Sequence, residues 1–266
     1  MRHVIAIVSA AAVMLGVLAP TGAFASDAFY PKGDGNKANG EKIFKEGKGE
    51  VPACMSCHGE DGSGNDDMGT PRIAGQFFTF LLKQLEDFAS DKRMDTTMFV
   101  MNTNAKGLSP QDRRDVATYL ASRKIDFKGS DLKALEANGQ AVGLEYKGRA
   151  LVEFGSPQRN DGFPNSLGSK GPGVPACKSC HGYAGGGAPP VYPMIGNQRY
   201  VYLVNQLKKW REGSRANDPL GQMQAVARKL SDEDIHNAAA YLTGANPLTV
   251  GNHHTPYDHR FDDHKK

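Results

Sequence analysis

Two stretches of the chain read alike: Val51-Pro52-Ala53-Cys54-Met55-Ser56-Cys57-His58-Gly59 and Val174-Pro175-Ala176-Cys177-Lys178-Ser179-Cys180-His181-Gly182. Each contains Cys-x-x-Cys-His, the pattern for covalent attachment of haem. Two thiols on one turn can each add to a vinyl group of the same porphyrin, and the adjacent histidine is then aimed at the iron from the proximal side. A single copy arises by chance; two with the same flanks are a strong signal. Zinc is the most serious competing reading, because the two units offer four thiolates and two imidazoles. A zinc site does not need His directly after the second Cys in both units. A redox Cys-x-x-Cys belongs in a βαβ pattern, and none is present; a structural disulfide explains neither His. The expectation is two covalently attached haem c groups, one on Cys54 and Cys57 and one on Cys177 and Cys180, with His58 and His181 as proximal iron ligands.

The composition is that of an ordinary soluble protein, 39% hydrophobic and 23% charged over 266 residues. Arg2-His3, the apolar run Val4 to Leu18 and the small-x-small Ala23-Phe24-Ala25 read as a cleaved signal peptide over residues 1–25. The apolar run is short for a membrane anchor, so export to the periplasm is expected, where bacteria attach haem covalently. The four cysteines are all consumed by the two haems, leaving none for a disulfide, a nucleophile or an axial ligand. With a net charge of +3 and neither half markedly basic, nucleic acid is not an expected partner.

Taken in order, the chain has a Gly-rich polar entry (Ser26 to Asn39) and a short helix from Gly40 to Glu46 with Ile43 and Phe44 inward. After the first motif come a turn-rich loop and a stronger helix, with Phe77, Phe80, Leu81, Leu85 and Phe88 at helical spacing. A loop through Met94, Met98 and Met101 leads to a last helix. Ser109 caps it, Pro110 takes its first position, and Asp112 completes a capping-box-like start. Nothing reads as a sheet. A shift of 122 residues then lays Pro71 on Pro193, Gln76 on Gln198, Gln84-Leu85 on Gln206-Leu207, Ser109 on Ser231 and Tyr119 on Tyr241. The fold class is therefore all-α, in two similar domains joined near residues 124–140: residues 26–129 and 130–250. Residues 251–266, with His253, His254, His259 and His264, read as a flexible tail. The Gly/Pro/Ser/Asn-rich loop from Gly155 to Gly173 is longer than its counterpart.

The same register pairs Met101 with Met223, each seven residues before the Leu that precedes the capping Ser. A soft thioether suits ferrous iron and raises its potential, so these two are the expected distal ligands, with Met98 left to packing. The second ring nitrogen of each proximal His needs a partner. Pro71 and Pro193 are candidates to offer a backbone carbonyl, and equally candidates for simple helix-entry prolines. Tyr119 and Tyr241 read as packing residues, and Arg72, opposite Met194, has no assigned role.

These residues resemble the cytochrome c4 family, periplasmic dihaem proteins of two class I cytochrome c domains. The matching pieces are Cys-x-x-Cys-His-Gly, Pro-x-Ile-x-x-Gln-x-x-x-aromatic-Leu-x-x-Gln-Leu (Pro71 to Leu85, Pro193 to Leu207), Phe88 and Trp210, Arg211-Glu212-Gly213-Ser214-Arg215, and Met223 followed by Leu230-Ser231. The first half departs by lacking the Arg-x-Gly-x-Arg run. The resemblance implies an electron carrier rather than an enzyme, without catalytic residues. It would dock transiently with redox protein donors and acceptors: a quinol-oxidising donor complex, and a terminal oxidase or another periplasmic redox enzyme as acceptor, some of them membrane-bound respiratory complexes. The alternatives are an electron-accepting subunit of a periplasmic dehydrogenase, or a dihaem enzyme acting on peroxide or thiosulfate. The thiosulfate enzymes that this architecture resembles use a cysteine as axial ligand, and no spare cysteine exists here.

Overall fold

The computed structural model describes residues 33–156, 159–160, 163–164 and 173–248. The expected signal peptide, the His-bearing tail and most of the long loop before Cys177 lie outside these residues.

The first half is built from α1 (Lys37–Glu46), α2 (Met55–His58), α3 (Phe78–Ala89), α4 (Met101–Gly107) and α5 (Pro110–Ala121). Its first and last helices cross closely. Gly40 sits at the crossing, where a Cβ would stand 2.1 Å from the carbonyl oxygen of Asp115; only glycine fits. Apolar faces of α1, α3 and α5 close the core over Ile43, Phe44, Phe78, Leu81, Val116 and Tyr119. Ser109 opens α5 with a full capping box: its hydroxyl accepts from the Asp112 N–H, and the Asp112 carboxylate accepts from the Ser109 N–H.

The second half repeats the plan. After α6 (Leu132–Ala137), a short helix within the expected linker, come α7 (Glu145–Phe154), α8 (Lys178–His181), α9 (Tyr200–Glu212), α10 (Gln222–Ala227) and α11 (Asp232–Gly244). Gly148 makes the crossing of α7 with α11, a Cβ there falling 1.8 Å from the Asn237 carbonyl oxygen. Ser231 and Asp234 repeat the capping box. The described strands are β1 (Arg159–Asn160) and β2 (Phe163–Pro164), a two-residue antiparallel pairing in the long loop; the architecture is all-α.

A pseudo-two-fold relation joins the halves. Gln84 and Gln206 each present Oε1 to two buried guanidiniums. Arg93 donates to them at 2.6 and 3.0 Å, and Arg215 at 3.1 and 2.7 Å. Arg93 lies over the Phe88 ring and Arg215 over Trp210, the corresponding residue. Arg72, 3% exposed, departs from this symmetry: it donates to the carbonyls of Asn197, Gly196 and Ala74.

Candidate functional site

In each half the Cys-x-x-Cys-His segment forms one turn of helix, so both thiols and the imidazole project from positions i, i+3 and i+4 of a single turn. Cys54 packs against the first core and Cys177 against the second, while Cys180 is exposed. No disulfide joins any of the four. Burial pushes the thiols of Cys54 and Cys177 up to about 11, the reverse of the lowered value that a redox-active Cys-x-x-Cys needs. Among the described residues no three His, Cys, Asp or Glu side chains gather as a metal site, so the two motifs do not converge on a shared zinc.

Both histidines are buried and fixed the same way. Nδ1 of His58 lies 3.0 Å from the Pro71 carbonyl oxygen, and Nδ1 of His181 lies 2.8 Å from that of Pro193. A carbonyl only accepts, so Nδ1 carries the proton and Nε2 keeps its lone pair. Burial lowers the pKa of both rings, holding them in the neutral form that a metal requires. Neither proline enters a helix: α3 starts seven residues after Pro71, and α9 seven after Pro193. Gly64, at φ +79°, lets the loop after His58 close, since a Cβ there would meet the Pro71 carbonyl carbon at 2.5 Å. Its N–H donates to the His58 carbonyl oxygen at 2.8 Å.

Met101 and Met223 stand in the first turns of α4 and α10, short helices where the sequence suggests only loop. Carboxylates that the sequence reading passed over hold both: Asp95 accepts from the N–H of Met101 at 3.3 Å, and Asp218 from that of Met223 at 2.6 Å. Asp95 also receives the N–H groups of Thr97, Met98 and Val100. Burial pushes Asp95 up, but these hydrogen bonds outweigh it and hold it below its usual value. Met94 is half-exposed. Met98 lines an open cleft between the halves with Met68, Gly69, Val201 and Asn205. Tyr119 is buried against Phe44, whereas Tyr241 donates to the buried carboxylate of Glu153 at 2.9 Å. Glu153 was not foreseen, because its counterpart across the helix crossing is the exposed Lys45.

This donor set fits haem c: two thiols on one turn, outside any disulfide, the first of each pair packed on an apolar core, and a buried imidazole with its outer nitrogen already satisfied. The sequence profile of the Cytochrome c family matches residues 37–124 and 170–246. A cytochrome c4 from Pseudomonas aeruginosa is 34% identical over 74% of this chain and 86% of its own length. A thiosulfate dehydrogenase electron acceptor from Stutzerimonas stutzeri is 33% identical over 80% of this chain and 89% of its own. Among solved structures, reduced recombinant cytochrome c4 from Pseudomonas stutzeri superposes with a TM-score of 0.58 at 28% identity, over 80% of this chain and all of that one. Thiosulfate dehydrogenase TsdBA from Marichromatium purpuratum gives 0.64 at 28% identity, over 79% of this chain but 40% of that longer chain. The motifs, the paired geometry and these relatives agree: the chain belongs to the cytochrome c family, as a two-domain electron carrier of the cytochrome c4 group with two covalently attached haem c groups.

Proposed function

We propose that His58 and Met101 ligate the first iron and His181 and Met223 the second, with Cys54, Cys57, Cys177 and Cys180 holding the porphyrins and Pro71 and Pro193 steadying the histidines. The domains on this reading are residues 26–129 and 130–250. The protein is exported to the periplasm and carries electrons from a respiratory donor to a terminal oxidase or another redox enzyme, without substrate chemistry of its own. When bound, each haem supplies an iron that cycles between ferric and ferrous states. The chain's task is to fix both axial ligands, bury the rings' apolar faces and leave partners a place to touch.

The observation that carries this reading is the duplication of the whole ligand-holding arrangement. In both halves a backbone carbonyl fixes the histidine, and a carboxylate accepts the N–H of the methionine in the first turn of a short helix. An enzyme needs one of its two irons open, so the likeness of the two arrangements supports a carrier. Transient docking is favoured by Phe99 and Leu220, 73% and 95% exposed in the loops leading to Met101 and Met223. Both adopt positive φ, costing roughly 1 kcal/mol apiece, which points to a use for an apolar side chain held outward. Among the described residues no helix is long and apolar enough to cross a membrane.

A second reading draws on the relatives named as thiosulfate dehydrogenase electron acceptors: the donor is then such a dehydrogenase, and the chain its dedicated acceptor. Carbon monoxide binding to the ferrous protein, with peroxide and thiosulfate turnover assays, tests the carrier reading. Poor carbon monoxide binding at both haems and no turnover are expected, and rapid binding at one haem with matching turnover would overturn it. Rapid reduction by a thiosulfate dehydrogenase, but not by a quinol-oxidising complex, would select the second reading.

A further inference from the structure

Each proximal histidine is tied to the opposite domain through a single peptide group. The carbonyl of Pro71, which accepts from His58, belongs to the same peptide as the N–H of Arg72. That N–H donates to Gln198 Oε1 at 2.6 Å, and Gln198 Nε2 returns a bond to the Arg72 carbonyl at 2.9 Å. The mirror image is present: the carbonyl of Pro193 accepts from His181, and the N–H of the same peptide, on Met194, donates to Gln76 Oε1 at 3.1 Å. Gln76 Nε2 donates back to the Met194 carbonyl at 2.8 Å. Gln76, Gln198, Arg72 and Met194 are each no more than 5% exposed, so no bulk water competes for these groups.

Hydrogen bonds in series polarise one another, more so where the surroundings are dry. A peptide whose N–H is engaged has a more negative carbonyl oxygen, which draws harder on the imidazole N–H and makes Nε2 more basic. A more basic ligand favours ferric iron and lowers the potential. We propose that Gln76 and Gln198 are positioning residues acting across the domain boundary: Gln198 of the second domain tunes the first haem through Pro71 and His58, and Gln76 of the first domain tunes the second haem through Pro193 and His181. The inference rests on His58 and His181 being the proximal ligands. It makes each haem's potential depend on the docking of the other domain.

The test uses the full-length dihaem protein carrying Gln198→Met or Gln76→Met, which keep the side-chain length and remove both amide atoms. Two quantities are read at each site: the NMR signal and solvent exchange of the histidine Nδ1–H, and the midpoint potential. Q198M should speed exchange at His58 roughly 2- to 10-fold, the loss of one net hydrogen bond's worth of restraint, and raise the first haem's potential while leaving His181 unmoved. Q76M should do the reverse. Thr79→Val, which removes a contact of 3.4 Å to the Pro190 carbonyl across the same boundary, should move neither. Equal changes at both haems, changes in the variant's own domain, or none at all would overturn the inference. If Q198M does not accumulate, Gln198→Asn, which withdraws the amide by one methylene, asks the same question. A wild-type spectrum without histidine ligation would overturn the ligand assignment first, and the inference with it.

Discussion

At the scale of single residues, the first iron poses a choice among Met94, Met98 and Met101. Asp95 accepts the N–H of Met98 as well as that of Met101, but only Met101 shares with Met223 a place in the first turn of a short helix. Met98 lines the interdomain cleft instead. Met101→Ala is therefore expected to abolish the methionine-to-ferric-iron charge-transfer absorption of one haem and lower that haem's potential, while Met98→Ala leaves both nearly unchanged. Near-infrared absorption with a redox titration decides it, and the reverse pattern would make Met98 the ligand. That Met101 and Met223 occupy matching places was legible because the 122-residue register holds on both sides of the loop. The carboxylates were not, since Asp95 lies six residues before Met101 and Asp218 five before Met223. That one-residue difference breaks the register at the residues that do the capping.

At the scale of elements, the starts of α5 and α11 were legible, because a Ser three residues ahead of an Asp states its own geometry. The Ser109–Asp112 box also carries a charge partner, Lys48 Nζ at 2.6 Å from Asp112 Oδ1. Burial pushes the Asp112 carboxyl up, but the bonds from Lys48, Ser109 and Asn39 outweigh it and hold the group at about 2, against an ordinary 3.8. A depressed value means the ionised form stabilises the fold above the unfolded value. That stabilisation is lost as pH falls from about 4 through about 2. Between pH 5 and pH 2 the wild-type protein should lose on the order of 1–2 kcal/mol more stability than Asp112→Asn. Thermal unfolding followed across that range checks this, and parallel pH profiles would refute it. Other elements were hidden by a change of residue at a fixed backbone shape. The Arg211-x-Gly213-x-Arg215 run is missing as letters from the first domain, yet Arg93 occupies the place of Arg215 and Asp91, at φ 58°, turns the chain where Gly213 does at 83°. Aspartate tolerates that left-handed conformation better than most residues, so the turn survived without its glycine.

At the scale of the whole molecule, periodicity finds two similar domains but cannot say how they meet, because buried amides and guanidiniums, which no apolar stripe announces, make the bonds between them. One meeting place is the Arg93–Arg215–Gln84–Gln206 cluster. Its two guanidiniums are buried close together, and burial together with the Arg93 charge lowers Arg215 to about 9. Two like charges in a dry site are costly, and both are tolerated because each donates to the same two amide oxygens, one from each domain. Every such bond from Arg93 to Gln206 or from Arg215 to Gln84 crosses the boundary, so the cluster couples the unfolding of one domain to that of the other. Arg93→Met or Arg215→Met alone leaves one guanidinium bridging both glutamines, relieves the repulsion, and should cost only about 1 kcal/mol. Arg93→Met combined with Arg215→Met removes every guanidinium bridge between the glutamines, taking both of these donors from Gln206 Oε1 and leaving Gln84 Oε1 with Asn217 Nδ2 at 3.1 Å. The single cooperative transition expected of the wild type should then split, with calorimetric and van't Hoff enthalpies no longer equal. Differential scanning calorimetry with Soret circular dichroism reads both quantities. A double variant that still melted in one two-state step would place the coupling elsewhere, in the Gln76 and Gln198 bridges that each grip the opposite domain's backbone.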